Sequence, residues 1–156
     1  GRNIGWEHVF VAVDDHSRMA FTQIYPDESK HSAEAFLRCA VAYFERLDVP
    51  IQRVLTDNGK SFHSALFAAT CLELGISQKF TRAYRPQTNG KAERFIQSAL
   101  REWAYGHAYA SSDQRRDLLP SWNHFYNWHR PHHGINLKPP VSRLSVPRKN
   151  LLTLHS

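Results

Sequence analysis

The 156 residues suffice for one domain with a sizeable core. A make-up of 42% hydrophobic and 22% charged residues excludes a disordered or low-complexity chain. No apolar run approaches the roughly 20 residues that cross a bilayer, so no membrane partner is expected, and the first residues lack the pattern of a signal peptide. The two cysteines, Cys39 and Cys71, make no disulfide framework. Both fall in helical patterns and read as buried thiols of a reducing, cytoplasmic compartment. The net charge of +6 is unevenly spread: residues 1–80 carry 8 Lys/Arg against 10 Asp/Glu, and residues 81–156 carry 12 against 4. A second half this basic suits a polyanion such as nucleic acid, or simply a well-solvated surface.

In chain order, His8 to Asp14 (H-V-F-V-A-V-D) is apolar and β-branched and predicts a buried strand. Asp15-His16-Ser17-Arg18 is a polar turn, and Met19 to Tyr25 completes a hairpin that Pro26 stops. From Ser32 as N-cap, Ala33, Phe36, Leu37, Ala40, Val41, Phe44 and Leu47 follow helical spacing up to Pro50. Ile51 to Thr56 predicts a short strand ending in the turn Asp57-Asn58-Gly59. A helix over Ser64 to Leu74 stops at Gly75, and Ile76 to Phe80 forms another strand. A polar, basic loop over Thr81 to Asn89 leads through Gly90 into a long helix from Lys91 to about Tyr105. A last helix runs from Ser112 or Asp113 to about His129. The proline-rich stretch from Arg130 onward is expected to be irregular. This order indicates a mixed α/β domain. Trp103, Trp122, Phe125 and Trp128 have spacings suited to a core face.

Two acidic residues stand where chemistry would place them. Asp57 lies just past a strand end, where α/β sheets project side chains toward ligands. Glu93 lies in the first turn of a helix. Each also has a plain structural reading, an Asx turn for Asp57 and a favourable helix-start charge for Glu93. They have 35 residues between them and sit in V-L-T-D-N-G-K-S-F and Y-R-P-Q-T-N-G-K-A-E-R-F. With F-V-A-V-D-D-H-S-R near the start and Y-N-W-H-R-P-H at Tyr126 to His132, these strings occur in one order. In that order the chain resembles the retroviral-integrase-type core of bacterial insertion-sequence transposases and its D-D-35-E pattern. The resemblance runs from about Val9 to about Leu144.

The resemblance implies a ribonuclease-H-like mixed sheet flanked by helices. It further implies DNA end cleavage and strand transfer by phosphoryl transfer with two Mg²⁺ or Mn²⁺ ions, ions that prefer hard oxygen ligands. Asp57 matches the family's second Asp and Glu93 its Glu, as catalytic and metal-holding residues. The partners implied are element ends and target DNA, in a homo-oligomer; the location implied is bacterial and nucleoid-associated. The family's first Asp lies on a strand at the heart of the sheet, ahead of the hairpin, and Glu7 does not carry its motif. Asp14 and Asp15 match the family's D-D-x-S-R turn, which is separate from the metal site. The expectation is therefore a core over residues 1–145, truncated before its first strand and first Asp, with a tail over 146–156. Such a fragment should bind metal weakly, have little or no activity, and be marginal unless another segment fills the gap in the sheet.

For DNA contact the basic loop and helix start nominate Arg82, Tyr84, Arg85, Gln87, Thr88, Asn89, Lys91 and Arg94. Cations and helix-start N–H groups suit phosphates, and Tyr84 suits base stacking. A solvated loop punctuated by Pro86 and Gly90 is the plain alternative. His129, His132 and His133 have no cysteines at zinc-finger spacing. Arg130 and His132 suit structural or DNA-proximal roles. Two other readings stay open: a non-catalytic DNA-binding or assembly module, and a ribonuclease-H-like nuclease.

Overall fold

The computed structural model describes residues 2–4, 7–81, 90–105, 111–144 and 150–156. Its strands are β1 (Arg2–Ile4), β2 (Glu7–Asp14), β3 (Ala20–Tyr25), β4 (Ile51–Thr56), β5 (Ser77–Phe80) and β6 (Asn150–His155). The α-helices are α1 (Lys30–Arg46), α2 (Ala65–Glu73), α3 (Gly90–Ala99) and α4 (Ser112–Trp128). All six strands form one mixed sheet, in the order β1-β2-β6-β4-β5 with β3 on the other side of β2. The hairpin falls where the alternation put it, with His8 opposite Tyr25 and Val13 opposite Ala20.

The sheet buries both faces, as the strand sequences require. Phe10 and Ala12 of β2, Val54 of β4 and Leu152 and Leu154 of β6 pack with Phe36, Leu37 and Phe44 of α1 and Phe67 and Cys71 of α2. Val9, Val11 and Val13, the alternate residues of β2, pack with Ala92, Phe95, Ile96 and Ala99 of α3 and Leu119 and Tyr126 of α4. A strand turns successive side chains to opposite faces, so one run of β2 serves two cores.

Several local expectations shift. Helix α1 begins one turn earlier than Ser32 implied: Ser29 is its N-cap and accepts from the Ser32 N–H at 3.2 Å. Ser64 caps α2 and Ser111 caps α4 in the same way, and Gly75 ends the α2 turn at φ 70°. The long helix after Gly90 is α-helical only to Ala99. Leu100–Ala104 continues it as a π-helical turn, with Trp103 buried and its indole N–H donating to the Arg115 carbonyl at 2.8 Å.

The stretch after Arg130 departs most from expectation. It contains short 3-10 turns at His133–Ile135 and Pro140–Arg143 and then β6, which occupies the middle of the sheet. Strand β6 runs antiparallel to β2, with Val11 opposite His155, and parallel to β4, with Leu55 opposite Thr153. Its sequence L-L-T-L-H alternates in the manner of a strand, and the prolines that suggested irregularity all precede it. Cys71 is buried as expected, but Cys39 is exposed, since it lies on the solvent side of α1. Phe125 and Trp128 are likewise exposed, at 42% and 37%, whereas Trp103 is in the core and Trp122 packs at its rim. Among the described residues no helix is long and apolar enough to cross a membrane.

Candidate active site

Asp57 follows the last residue of β4. Thr56 is fully buried and tied down from two directions, its carbonyl accepting from the Thr81 N–H at 2.8 Å and its hydroxyl from the Gln78 amide at 3.1 Å. The chain then turns through Asp57, whose Oδ1 accepts from the Gly59 N–H at 2.8 Å. This is the Asx turn of the plain structural reading, and it also fixes where the carboxylate points. Gly59 is required for it, because a Cβ at 59 would stand 2.9 Å from that same oxygen. Asn58 donates to the Thr81 carbonyl at 3.1 Å and holds the turn against the end of β5.

Glu93 stands in the first turn of α3 and is half-buried. Its Oε1 lies 3.1 Å from Nε2 of His155, the last residue of β6. Because β6 is parallel to β4 with Leu55 beside Thr153, the register carries His155 to the level of Asp57. Asp57 and Glu93 are thus brought to the same end of the central strands, with His155 at that end and on Glu93. His155 was not foreseen from sequence. The one signal for it is the alternation of β6, which sends Leu152 and Leu154 to one face and Thr153 and His155 to the other.

Other residues singled out by sequence fall elsewhere. Arg82, Tyr84, Arg85, Gln87, Thr88 and Asn89 lie outside the described residues, as does the Lys91 side chain. Arg94 is described and exposed on α3. Asp14 is fully buried, and its Oδ2 accepts from the Ser17 N–H at 3.0 Å and hydroxyl at 2.5 Å, so it builds the β2–β3 turn. Arg130 is held by Glu102, with hydrogen bonds of 2.7–3.1 Å from its Nη2 and Nε.

The profile of the integrase core domain matches residues 2–86, and a second integrase core domain profile matches residues 74–140. The chain belongs to the integrase core domain family. A protein of a Spiroplasma virus named as the ORF3 integrase is 24% identical over 151 residues, covering 88% of this chain and 42% of that one. A protein of Geobacillus stearothermophilus named as the transposase of insertion sequence element IS5376 is 27% identical over 124 residues, covering 73% and 30%. The chain spans less than half the length of these relatives. Among solved structures, the simian T-cell lymphotropic virus intasome, in complex with a PP2A regulatory subunit, matches with a TM-score of 0.72 at 22% identity, covering 90% of this chain and 49% of that one. The catalytic core domain of BIV integrase matches at 0.66 and 22%, covering 88% and 85%. The ribonuclease-H-like mixed sheet expected from the sequence is therefore the fold of this integrase core, and its family is one of DNA integration and transposition.

The donor chemistry of the site suits a hard divalent cation, since Asp57 and Glu93 offer carboxylate oxygens. The number of donors is smaller than a complete cage. Among the described residues no three His, Cys, Asp or Glu side chains are grouped so as to hold a metal ion. The side chain that the central strand brings to Glu93 in this integrase core is an imidazole, where the resemblance implied a carboxylate on a strand at the sheet's heart.

Proposed function

We propose that this integrase core serves DNA end cleavage and strand transfer by divalent-metal-dependent phosphoryl transfer, with Asp57 and Glu93 as its metal-holding carboxylates. The observation that carries this reading is the delivery of both residues to one end of the central strands, Asp57 by β4 and Glu93 by α3, beside His155 of β6. The reaction replaces one phosphorus–oxygen ester bond by another, with an oxygen nucleophile attacking in line with the leaving 3′ oxygen. Mg²⁺ or Mn²⁺ in such a site supplies charge neutralisation at both the entering and the leaving oxygen. The chain's own part is positioning. The Asx turn fixes the Asp57 carboxylate, and the first turn of α3 holds Glu93 at the mouth of the sheet. The basic loop 82–89, Lys91 and Arg94 would bind the phosphates of element ends and target DNA, and two copies or more would bring paired ends together.

With two described carboxylates instead of three, the isolated chain should bind metal weakly and join DNA poorly compared with the natural full-length protein. The test uses that full-length protein with Mn²⁺, a labelled donor end and target DNA. Asp57→Asn and Glu93→Gln are each expected to abolish joined product on a sequencing gel. Full joining by either variant would overturn the assignment. The small donor set also favours a second reading, a non-catalytic DNA-binding or assembly module. It would be distinguished by a full-length protein that binds element ends yet joins none under any divalent ion.

A further inference from the structure

A cavity of about 500 Å³ opens beside α3, away from Asp57, between that helix, the β2–β3 turn and the segment after α4. Arg94 and Arg101 enter it from the α3 helix and its π-helical continuation, Arg18 from the turn, and Arg130 and His132 from the R-P-H string, with Tyr126 at its wall. Four guanidinium groups therefore face one space. Of these, Arg130 is neutralised by Glu102. Among the described residues no carboxylate is hydrogen-bonded to Arg18, Arg94 or Arg101.

The walls are built to hold this charge in place. Arg18 has φ 67°, and its guanidinium lies so close to Gly134 that a Cβ there would fall 2.0 Å from Nη1. The close approach requires glycine at 134. His132, in the cavity wall, is 9% exposed, and its Nε2 is buried with no hydrogen-bond partner in the protein. Arg130 lies over the Tyr126 ring at 5.7 Å. A concave site with several guanidinium forks beside an aromatic wall is matched by a phosphodiester.

We infer that this cavity is a phosphate-binding site for the DNA backbone, formed by Arg18, Arg101 and Arg94 and shaped by the R-P-H segment and Gly134. The inference rests on the DNA reading above and adds to it a site built from described residues. It gives the D-D-x-S-R and R-P-H strings a shared task. The turn supplies a cation and the later string supplies the glycine seat and wall that aim it. Arg94 belongs to both surfaces and would carry the strand from the helix start into the cavity.

The test is fluorescence anisotropy of the whole chain with a fluorescein-labelled DNA duplex over a range of salt concentrations. Removing one phosphate contact should make the slope of log affinity against log salt shallower by about 0.9. Arg101→Ala, at an exposed position, and Arg18→Gln are each expected to produce that change and to weaken binding. Gly134→Ala changes no charge and should reproduce the Arg18→Gln result by displacing the guanidinium. Wild-type binding with unchanged affinity and slope in both arginine variants would overturn the site while leaving the DNA reading intact. Failure of the wild-type chain to bind duplex DNA at all would overturn both.

Discussion

His132 meets the Tyr126 ring edge-on at 4.6 Å, and burial, reinforced by the nearby Arg130 and Arg18, pushes its pKa down to about 4. The unfolded chain takes up a proton near the ordinary value of about 6.5, so between that pH and about 4 it binds more protons at this residue than the folded chain does. Stability then rises with pH across that window and is eroded as pH falls from about 6.5 to about 4. The thermal midpoint should fall over this interval, and His132→Gln should flatten that segment of the curve; an unaltered slope in the variant would remove His132 as the cause. The two cysteines make a simpler case. Burial raises the Cys71 thiol to about 11, whereas Cys39 is exposed. A thiol reagent at pH 8 should titrate one cysteine in the native protein and two after denaturation. Sequence could not separate them, since both sit in helices and differ only in which side of the helix meets the sheet.

At the level of elements, α4 closes an edge that β3 would otherwise expose. Asn127 is fully buried, its Oδ1 accepting from the Ala20 N–H at 2.8 Å and its Nδ2 donating to the Ala20 carbonyl at 2.7 Å. Asn123, one turn earlier, donates to the same carbonyl at 2.8 Å and accepts from the Thr22 hydroxyl at 2.7 Å. The pair thus acts as a further strand would, using side-chain amides. Asn127→Leu should cost about 1–3 kcal/mol, the range for leaving a buried backbone group unmatched, measured by urea denaturation. Two asparagines at i, i+4 in a helix are a poor choice for propensity and were the available hint of such a role. The hairpin, α2 and the helix starting at Gly90 were legible because their signals are local: alternation, caps and glycine stops. Ser29 and Ser32 are hard to tell apart as caps from sequence, being serines three apart; in the structure the Ser32 hydroxyl and the Ser29 N–H both donate to Asp27, and the Ser29 hydroxyl donates to that of Ser32.

At the scale of the whole molecule, the described strands form a β1-β2-β3 portion and a β4-β5 portion that β6 joins. Leu152 and Leu154 are fully buried between them. Leu154→Ala should cost about 2–5 kcal/mol. A chain ended at Leu144 should lose its cooperative thermal transition, and retention of a native-like midpoint would show that β6 is dispensable. The residues proposed for the site were nominated by sequence to the same unequal degree. Asp57 and Glu93 stood out by their 35-residue spacing within two strings that resemble an integrase core, since a strand-end turn or a helix start alone has a plain structural reading. His155 did not stand out, since 62 residues separate it from Glu93 and only the register of the sheet joins them.

That placement of β6 also bears on how the domain is made. During translation the hairpin and the β4–β5 pair emerge long before residues 150–156 leave the ribosome, and among the described residues it is these that join the two portions. The edges of β2 and β4 that β6 covers therefore stay open to β6 until residues 150–156 arrive. Late, non-local closure of this kind slows folding and prolongs exposure to aggregation, so co-translational holding by a chaperone should raise the yield of folded protein more than slower synthesis does.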